Sequence, residues 1–439
     1  MSAVPPGATR RLLLALAILV AGALGRPALA VSEPPLNQIA LQYVRLALEV
    51  GEHEPGYIDA YFGAPEILAA ARANRRDLPT LARDTQALRA RLATLQAQAS
   101  GEERRRADFL ASQLAAVATR LRMLQGEKLP FVEEAEGLYG VRPELKPLAS
   151  FEPVLARIDQ LVPGPGPLWE RVDAFQNRFI IPNDRLEAVM RAATAECRRR
   201  TVAHLALPEG ERFTLGLVTG KPWSGYNWFQ GNAHSLIEIN TDLPVRLSRA
   251  VDLGCHEGYP GHHSMHSLQE ARLARGKGWL EFTVFPLFAP TALVAEGTAN
   301  YGIEMAFPMR AERLAFERNV LAPLAGLPVG DIERYLDLLD ALKELAGARF
   351  TIAADYLDGR ISRAEAVALT QRYELLSPAR AEQRIAFAEK YRSYVINYGL
   401  GQDMARATVE RAGADPKARW ARFERLVAEP TTPADFARP

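Results

Sequence analysis

The sequence predicts a mainly α-helical protein, an all-α frame around a small sheet, with its polar chemistry gathered near the middle of the chain. Three observations lead there. Ala, Leu, Arg and Glu, all good helix formers, dominate 78–97, 102–124, 184–205 and 331–354, with apolar residues at three- and four-residue spacing. Strand-like alternation is confined to 213–218 and 236–240. Four of the seven histidines fall between positions 255 and 266.

Taken in order, the first element is an address. Arg10 and Arg11 precede the apolar run 12–24, and Ala28-Leu29-Ala30 is a small-x-small cleavage pattern, so residues 1–30 read as a signal peptide cut after Ala30. The run falls short of the roughly 20 apolar residues of a membrane span. Thr9-Arg10-Arg11-Leu12-Leu13 also loosely fits a twin-arginine leader. The expectation is a periplasmic or secreted protein with no stable membrane insertion after cleavage. Residues 31–205 form an N-terminal helical region, broken by Gly126-Glu127-Lys128-Leu129-Pro130 and Pro163-Gly164-Pro165-Gly166-Pro167. Residues 206–310 carry the small sheet and the histidines, with 219–232 read as a long aromatic loop between two strands. Residues 311–427 are a C-terminal helical region, and 428–439 a frayed, flexible tail.

Composition excludes several classes. The 439 residues are 48% hydrophobic and 24% charged, ordinary for a folded soluble protein. Lys+Arg 53 against Asp+Glu 52 leaves no broad basic footprint for nucleic acid. Two cysteines, Cys197 and Cys255, exclude a disulfide scaffold and a four-cysteine zinc ribbon; a bond between the two is left open. Gly216-Leu217-Val218-Thr219-Gly220-Lys221-Pro222 imitates a phosphate-binding loop but is one residue short and has proline in place of Ser or Thr. There is no G-x-S-x-G elbow and no G-x-G-x-x-G fingerprint. Cys255 beside His256 suits a buried structural cysteine better than a nucleophile, because helix neighbours point about 100° apart.

The dense constellation is Cys255-His256-Glu257-Gly258-Tyr259-Pro260-Gly261-His262-His263-Ser264-Met265-His266. In H-E-x-x-H, two histidines one helical turn apart grip zinc and the glutamate serves as base. Here Pro260 stands where the second histidine belongs. Proline displaces the carbonyl four residues back and removes a hydrogen bond. If Pro260-Gly261 forms a bulge, two residues leave the register and His262 returns to His256; the rival is His263. His266 reads as a lining residue. A catalytic zinc takes three protein ligands and keeps one position open. The third ligand is expected from Glu296, which shares a helix face with Asn300 and Glu304, with Asn300 placed to orient a ligand. A Ser235–Asn240 strand offers an edge for an extended peptide, and His234 before it is placed to face the site.

These residues resemble a known family: the uncharacterised bacterial HExxPGHH proteins, which carry H-E-x-x-P-G-H and E-G-x-A-x-Y and are grouped with gluzincin-type, thermolysin-like zinc metallopeptidases. The likeness rests on 256–263 and on Glu296-Gly297-Thr298-Ala299-Asn300-Tyr301. It extends through Gly56-Tyr57-Ile58-Asp59-Ala60-Tyr61-Phe62-Gly63, Lys221-Pro222-Trp223-Ser224-Gly225-Tyr226-Asn227 and Asn240-Thr241-Asp242-Leu243-Pro244. The resemblance implies a large helical zincin-like fold and one zinc ion per chain on His256, His262 and Glu296. It also implies Glu257 as general base and the Ser393-Tyr394 pair as source of an oxyanion donor, hence Tyr394, with Tyr398 as rival. The substrate would be a peptide or a small amide. Two other readings stand beside the peptidase: a zinc amidase acting on non-peptide amides, and a non-catalytic envelope binding protein with a structural or degenerate metal site.

Overall fold

The computed structural model describes residues 34–221 and 223–437, and helices hold 68% and strands 7% of those residues. The expected leader lies outside those residues. From Pro35 on, the expected regions belong to one compact unit. No helix among the described residues is long and apolar enough to cross a membrane.

The expected helices form as Leu78–Gln98, Gly101–Leu124 and Asn183–Val202. The segment 331–354 is two helices, Ile332–Lys343 and Ala346–Leu357, because the chain turns at Glu344-Leu345. The tail corrects another expectation. Residues 430–436 pack down, with Phe436 3% exposed and its carbonyl accepting from Thr408, so this described part of the tail is docked rather than frayed.

Strands β1 (Ile58–Tyr61) and β5 (Val284–Pro286) pair antiparallel. Strands β2 (Arg212–Val218), β3 (Gly225–Phe229) and β4 (His234–Asn240) form a second sheet in the order β2-β4-β3. β2 runs parallel to β4, with Leu215 opposite Ile237, and β3 runs antiparallel, with Asn227 opposite Ile237. Two readings change. Part of the expected 219–232 loop is β3, and β4 is the central strand, so it has no free edge; the edge beside the cavity is β3. The phosphate-loop imitation dissolves too, because the Asp242 carboxylate accepts from the backbone amides of Gly220 and Lys221.

Two helices position the site. Pro290–Ala306 crosses Ile396–Glu410 in backbone contact: a Cβ on Gly297 would lie 2.4 Å from the Gly401 carbonyl. Only glycine permits that approach, and it brings Tyr394 and Tyr398 over Glu296.

Candidate metal centre

The Leu247–Leu253 helix widens into a single π turn at Gly254–Gly258, then breaks at a cis Tyr259-Pro260 bond and resumes as His262–Gln269. Pro260 has no N–H to offer the ladder. Gly261 lies against the preceding turn so closely that a Cβ would stand 1.8 Å from the His256 carbonyl oxygen. Pro260 and Gly261 thus leave the register, and the Nε2 atoms of His256 and His262 come within 3.1 Å of each other. His263 turns the other way. It is fully buried, with Nδ1 2.8 Å from Ser235 Oγ and Nε2 2.9 Å from Glu211. A Cys197–Cys255 disulfide, open in the sequence, ties this turn to the Asn183–Val202 helix.

Glu296 completes a triangle. Its Oε2 lies 3.2 Å from Nε2 of His256 and 3.8 Å from Nε2 of His262. That oxygen is buried and accepts no hydrogen bond among the described residues. Zinc with ligands at 2.0–2.2 Å in a tetrahedron has edges of roughly 3.3–3.6 Å. Three ligand atoms at 3.1, 3.2 and 3.8 Å bracket that range, so the donor set suits the metal. The network around it agrees. Asn300 Nδ2 donates to the Tyr398 carbonyl at 2.8 Å, which turns its Oδ1 toward His256 Nδ1 at 2.9 Å. Nδ1 therefore carries the hydrogen and Nε2 is left free to ligate, the usual device for orienting a metal histidine.

A second carboxylate borders the pair. An oxygen of Glu257 and one nitrogen each of His256 and His262 lie within 4.8 Å of one another, so a His-Glu-His grouping able to hold an ion also exists with Glu257. Glu296 is nearer and aims an unpartnered oxygen at both rings, so it is the better third ligand. Glu257 makes no ion pair with either ring, so it is the carboxylate left over beside the three ligand atoms. Burial raises the pKa of Glu257, with Glu296 adding and the histidines opposing. The Asn227 side chain fixes its backbone by donating to the Glu257 carbonyl at 2.7 Å.

Tyr394 and Tyr398 part company here. The Tyr394 hydroxyl donates to Glu296 Oε1 at 2.7 Å and is thereby engaged. The Tyr398 hydroxyl has no hydrogen-bond partner among the described residues; it lines the cavity, and both Glu296 and Glu257 lie close enough to raise its pKa further, after burial. His266 is a lining residue, stacked on Phe285 and pushed down to about 3 by burial and then by His262 and His263. His234 does not face the site; it bonds Thr214 on the sheet surface. Sequence reasoning passed over Asp59. Strand β1 delivers it to the cavity, where burial pushes its pKa up to about 7 against the pull of His262, with Glu296 and Glu257 adding to the rise. Its signals were its place in the 56–63 segment of the family likeness, where it was given no role, and a carboxylate in an otherwise apolar four-residue strand. Apart from His234, these side chains open with His256, His262, Glu257 and Glu296 on one cavity of about 1360 Å³, walled by β3, β1 and the Pro290–Ala306 and Pro378–Tyr391 helices.

No protein-family model matches the sequence. No curated protein matches it either. Among solved structures, the chain is similar to a candidate lipoprotein from Colwellia psychrerythraea at 14% identity and a TM-score of 0.53, over 82% of this chain and 68% of that one. A candidate lipoprotein of unknown function from Shewanella oneidensis gives 14% identity and 0.47, over 85% and 75%. The M32 carboxypeptidase of Deinococcus radiodurans R1 gives 13% and 0.34, over 90% and 89%. The first likeness is one of fold alone, and the two weaker ones are too loose to extend it.

Proposed function

We propose that the protein is an exported zinc-dependent hydrolase of amide bonds, most simply a peptidase. One observation carries this reading: three potential ligand atoms converge at 3.1–3.8 Å, with a second buried carboxylate beside them. A purely structural site would have no use for that second carboxylate.

His256, His262 and Glu296 would hold the ion. When bound, zinc supplies a Lewis acid that polarises a carbonyl and brings the pKa of a coordinated water near 7. Glu257, its pKa raised by burial, takes a proton from the attacking water and hands it to the leaving nitrogen. Tyr398 has a free hydroxyl to donate to the oxygen on which negative charge develops. Asn300 holds His256 in the ligating tautomer, and Tyr394 holds Glu296. Strand β3 supports a peptide reading, since it presents an unpaired edge at the cavity, able to bond an extended backbone without regard to its sequence. Export rests on the leader. The description of the Colwellia psychrerythraea neighbour as a candidate lipoprotein is in keeping with it, although here no cysteine precedes Cys197 to carry a lipid.

Metal analysis of the purified protein and digestion of a peptide library test the proposal together. About one zinc per chain and cleavage by the wild type are expected. Glu257→Gln should keep the zinc and lose about 10²- to 10⁴-fold in rate. Zinc loss in Glu257→Gln would exchange the roles of the two glutamates.

A further inference from the structure

One part of the cavity lining carries more positive charge than its ion pairs neutralise. Arg380 and Arg384 stand one turn apart on the Pro378–Tyr391 helix, beside Arg349 and Arg249 from two other helices, and all four line the cavity. Arg349 and Arg384 share one oxygen of Glu374, each at 3.2 Å, while the other oxygen of Glu374 has no partner. The Nε of Arg384, though that close, makes no aligned hydrogen bond. Among the described residues Arg380 bonds only a backbone carbonyl, that of Pro244, and Asp173 acts on it electrostatically without an ion pair. Arg249 reaches Asp252 at 3.6 Å, but Asp252 is already held by Arg313 at 3.0 Å. Four guanidiniums thus answer to one whole carboxylate and to shares of two others, Asp252 and Asp173, each already paired with another arginine. Burial lowers Arg384 to about 10, with the Arg349 charge adding, so the group stays cationic near neutral pH.

The surplus adjoins the reacting groups. Arg249 acts electrostatically on Glu257, and Arg349 and Tyr398 sense each other's charge. A bound zinc with two neutral histidines, Glu296 and Glu257 is close to neutral overall, so the metal site does not absorb the excess. Guanidiniums with free N–H groups in a sheltered cavity are built to take a planar anion by paired hydrogen bonds.

We infer that this arginine wall is a carboxylate-binding subsite, and that the substrates are short peptides or amides carrying a free carboxylate close to the scissile bond. The inference rests on the hydrolase reading for the bond cleaved, but not for the anion bound. The carboxylate is either the chain's C-terminus or an acidic side chain.

The test is calorimetric titration of the full-length, metal-loaded Glu257→Gln protein with three tripeptides. These are Ala-Ala-Ala as free acid, its C-terminal amide, and Ala-Glu-Ala as the amide. The free acid should bind about 10- to 100-fold tighter than its amide. That advantage should shrink toward none when Arg384→Gln or Arg380→Gln is added. If Ala-Glu-Ala amide equals the free acid, the subsite takes either carboxylate; if it binds as weakly as the plain amide, the subsite takes the C-terminus alone. Arg380 has no carboxylate partner, so its variant keeps the test open should Arg384→Gln fold poorly. Equal binding of all three peptides, or a preference that survives both substitutions because the carboxylate merely sits on the metal, overturns the inference. Cleavage is scored separately with wild-type protein: a carboxylate preference without hydrolysis removes the peptidase reading and leaves the subsite standing.

Discussion

Tyr394 donates its hydroxyl hydrogen to Oε1 of Glu296 at 2.7 Å, leaving Oε2 of the same carboxylate as the oxygen that faces the two histidines. The bond fixes which oxygen ligates, and it occupies the hydroxyl that the family likeness offers as an oxyanion donor. The two tyrosines should therefore fail in different ways. Tyr394→Phe should weaken zinc about 10- to 100-fold, as loss of a ligand's supporting partner does. Tyr398→Phe should keep its zinc, with kcat down about 10- to 1000-fold and KM changed less. Metal titration and steady-state kinetics on both variants decide it. If Tyr394→Phe binds zinc normally and loses only kcat, the two roles are reversed.

The neighbouring histidines should also separate cleanly. His262→Ala should strip the metal from a protein that still folds. His263 instead sits between Ser235 and Glu211, and Glu211 depends on it: burial opposes its charge, but hydrogen bonds from His263, Tyr259 and Arg198 hold its pKa down to about 2. His263→Ala should keep one zinc per folded chain while costing about 3 kcal/mol of stability, because it leaves a buried carboxylate short of a partner. Chemical denaturation beside metal analysis would show the split; zinc loss in a fully stable His263→Ala protein would contradict it.

What the sequence could disclose was whatever depends on near neighbours. The helices over 78–97, 102–124 and 184–205 follow from local periodicity. The return of His262 to His256 follows from what proline and glycine do to a helical turn. Glu296 was legible as a carboxylate within an apolar helix. The rest is set by tertiary contact. Strand β3 hides among Gly225 and nearby turn residues and forms because β4 pairs with it. Tyr394 and Tyr398 are indistinguishable until Gly297 and Gly401 touch and set the height of one helix over the other. The tail looks polar and dispensable, yet Phe436 finds a pocket beside Thr408. Asp59 and the arginine wall converge on the cavity from elements far apart in the chain, and no spacing rule joins them.

The Cys197–Cys255 disulfide closes a loop whose ends lie 58 residues apart in sequence and anchors the turn that carries His256. Loop-closure entropy for that separation corresponds to about 4 kcal/mol. A Cys197→Ser, Cys255→Ser double variant should lose stability of that order. Zinc affinity should fall as well, since the π turn would lose its covalent tether and keep only non-covalent holds, packing against Thr194 and the bonds from Asn227 and Asn300. Denaturant melts of the oxidised wild type and the double variant, both metal-loaded, measure the first effect. Matching midpoints would mean the packing alone suffices.

Metal uptake should expel a proton from His262. Without metal, burial disfavours its imidazolium, but Glu296, Glu257 and Asp59 outweigh burial and raise its pKa to about 9. A protonated Nε2 cannot ligate, so below that value zinc must displace the proton. Apparent zinc affinity should then rise about tenfold per pH unit between roughly pH 7 and 8.5, and level off above about 9. The sign for stability is opposite. Because the folded pKa lies above the unfolded value of 6.5, this group stabilises the metal-free protein fully below about pH 6.5. The contribution, about 2–3 kcal/mol, fades as pH climbs through about 9. Calorimetric zinc titrations in two buffers of different ionisation heat count the released protons, and melts with and without chelator across the same range follow the stability. An affinity independent of pH over that interval, with no proton released, would mean that His262 is already neutral in the metal-free protein and that the surrounding carboxylates do not govern it.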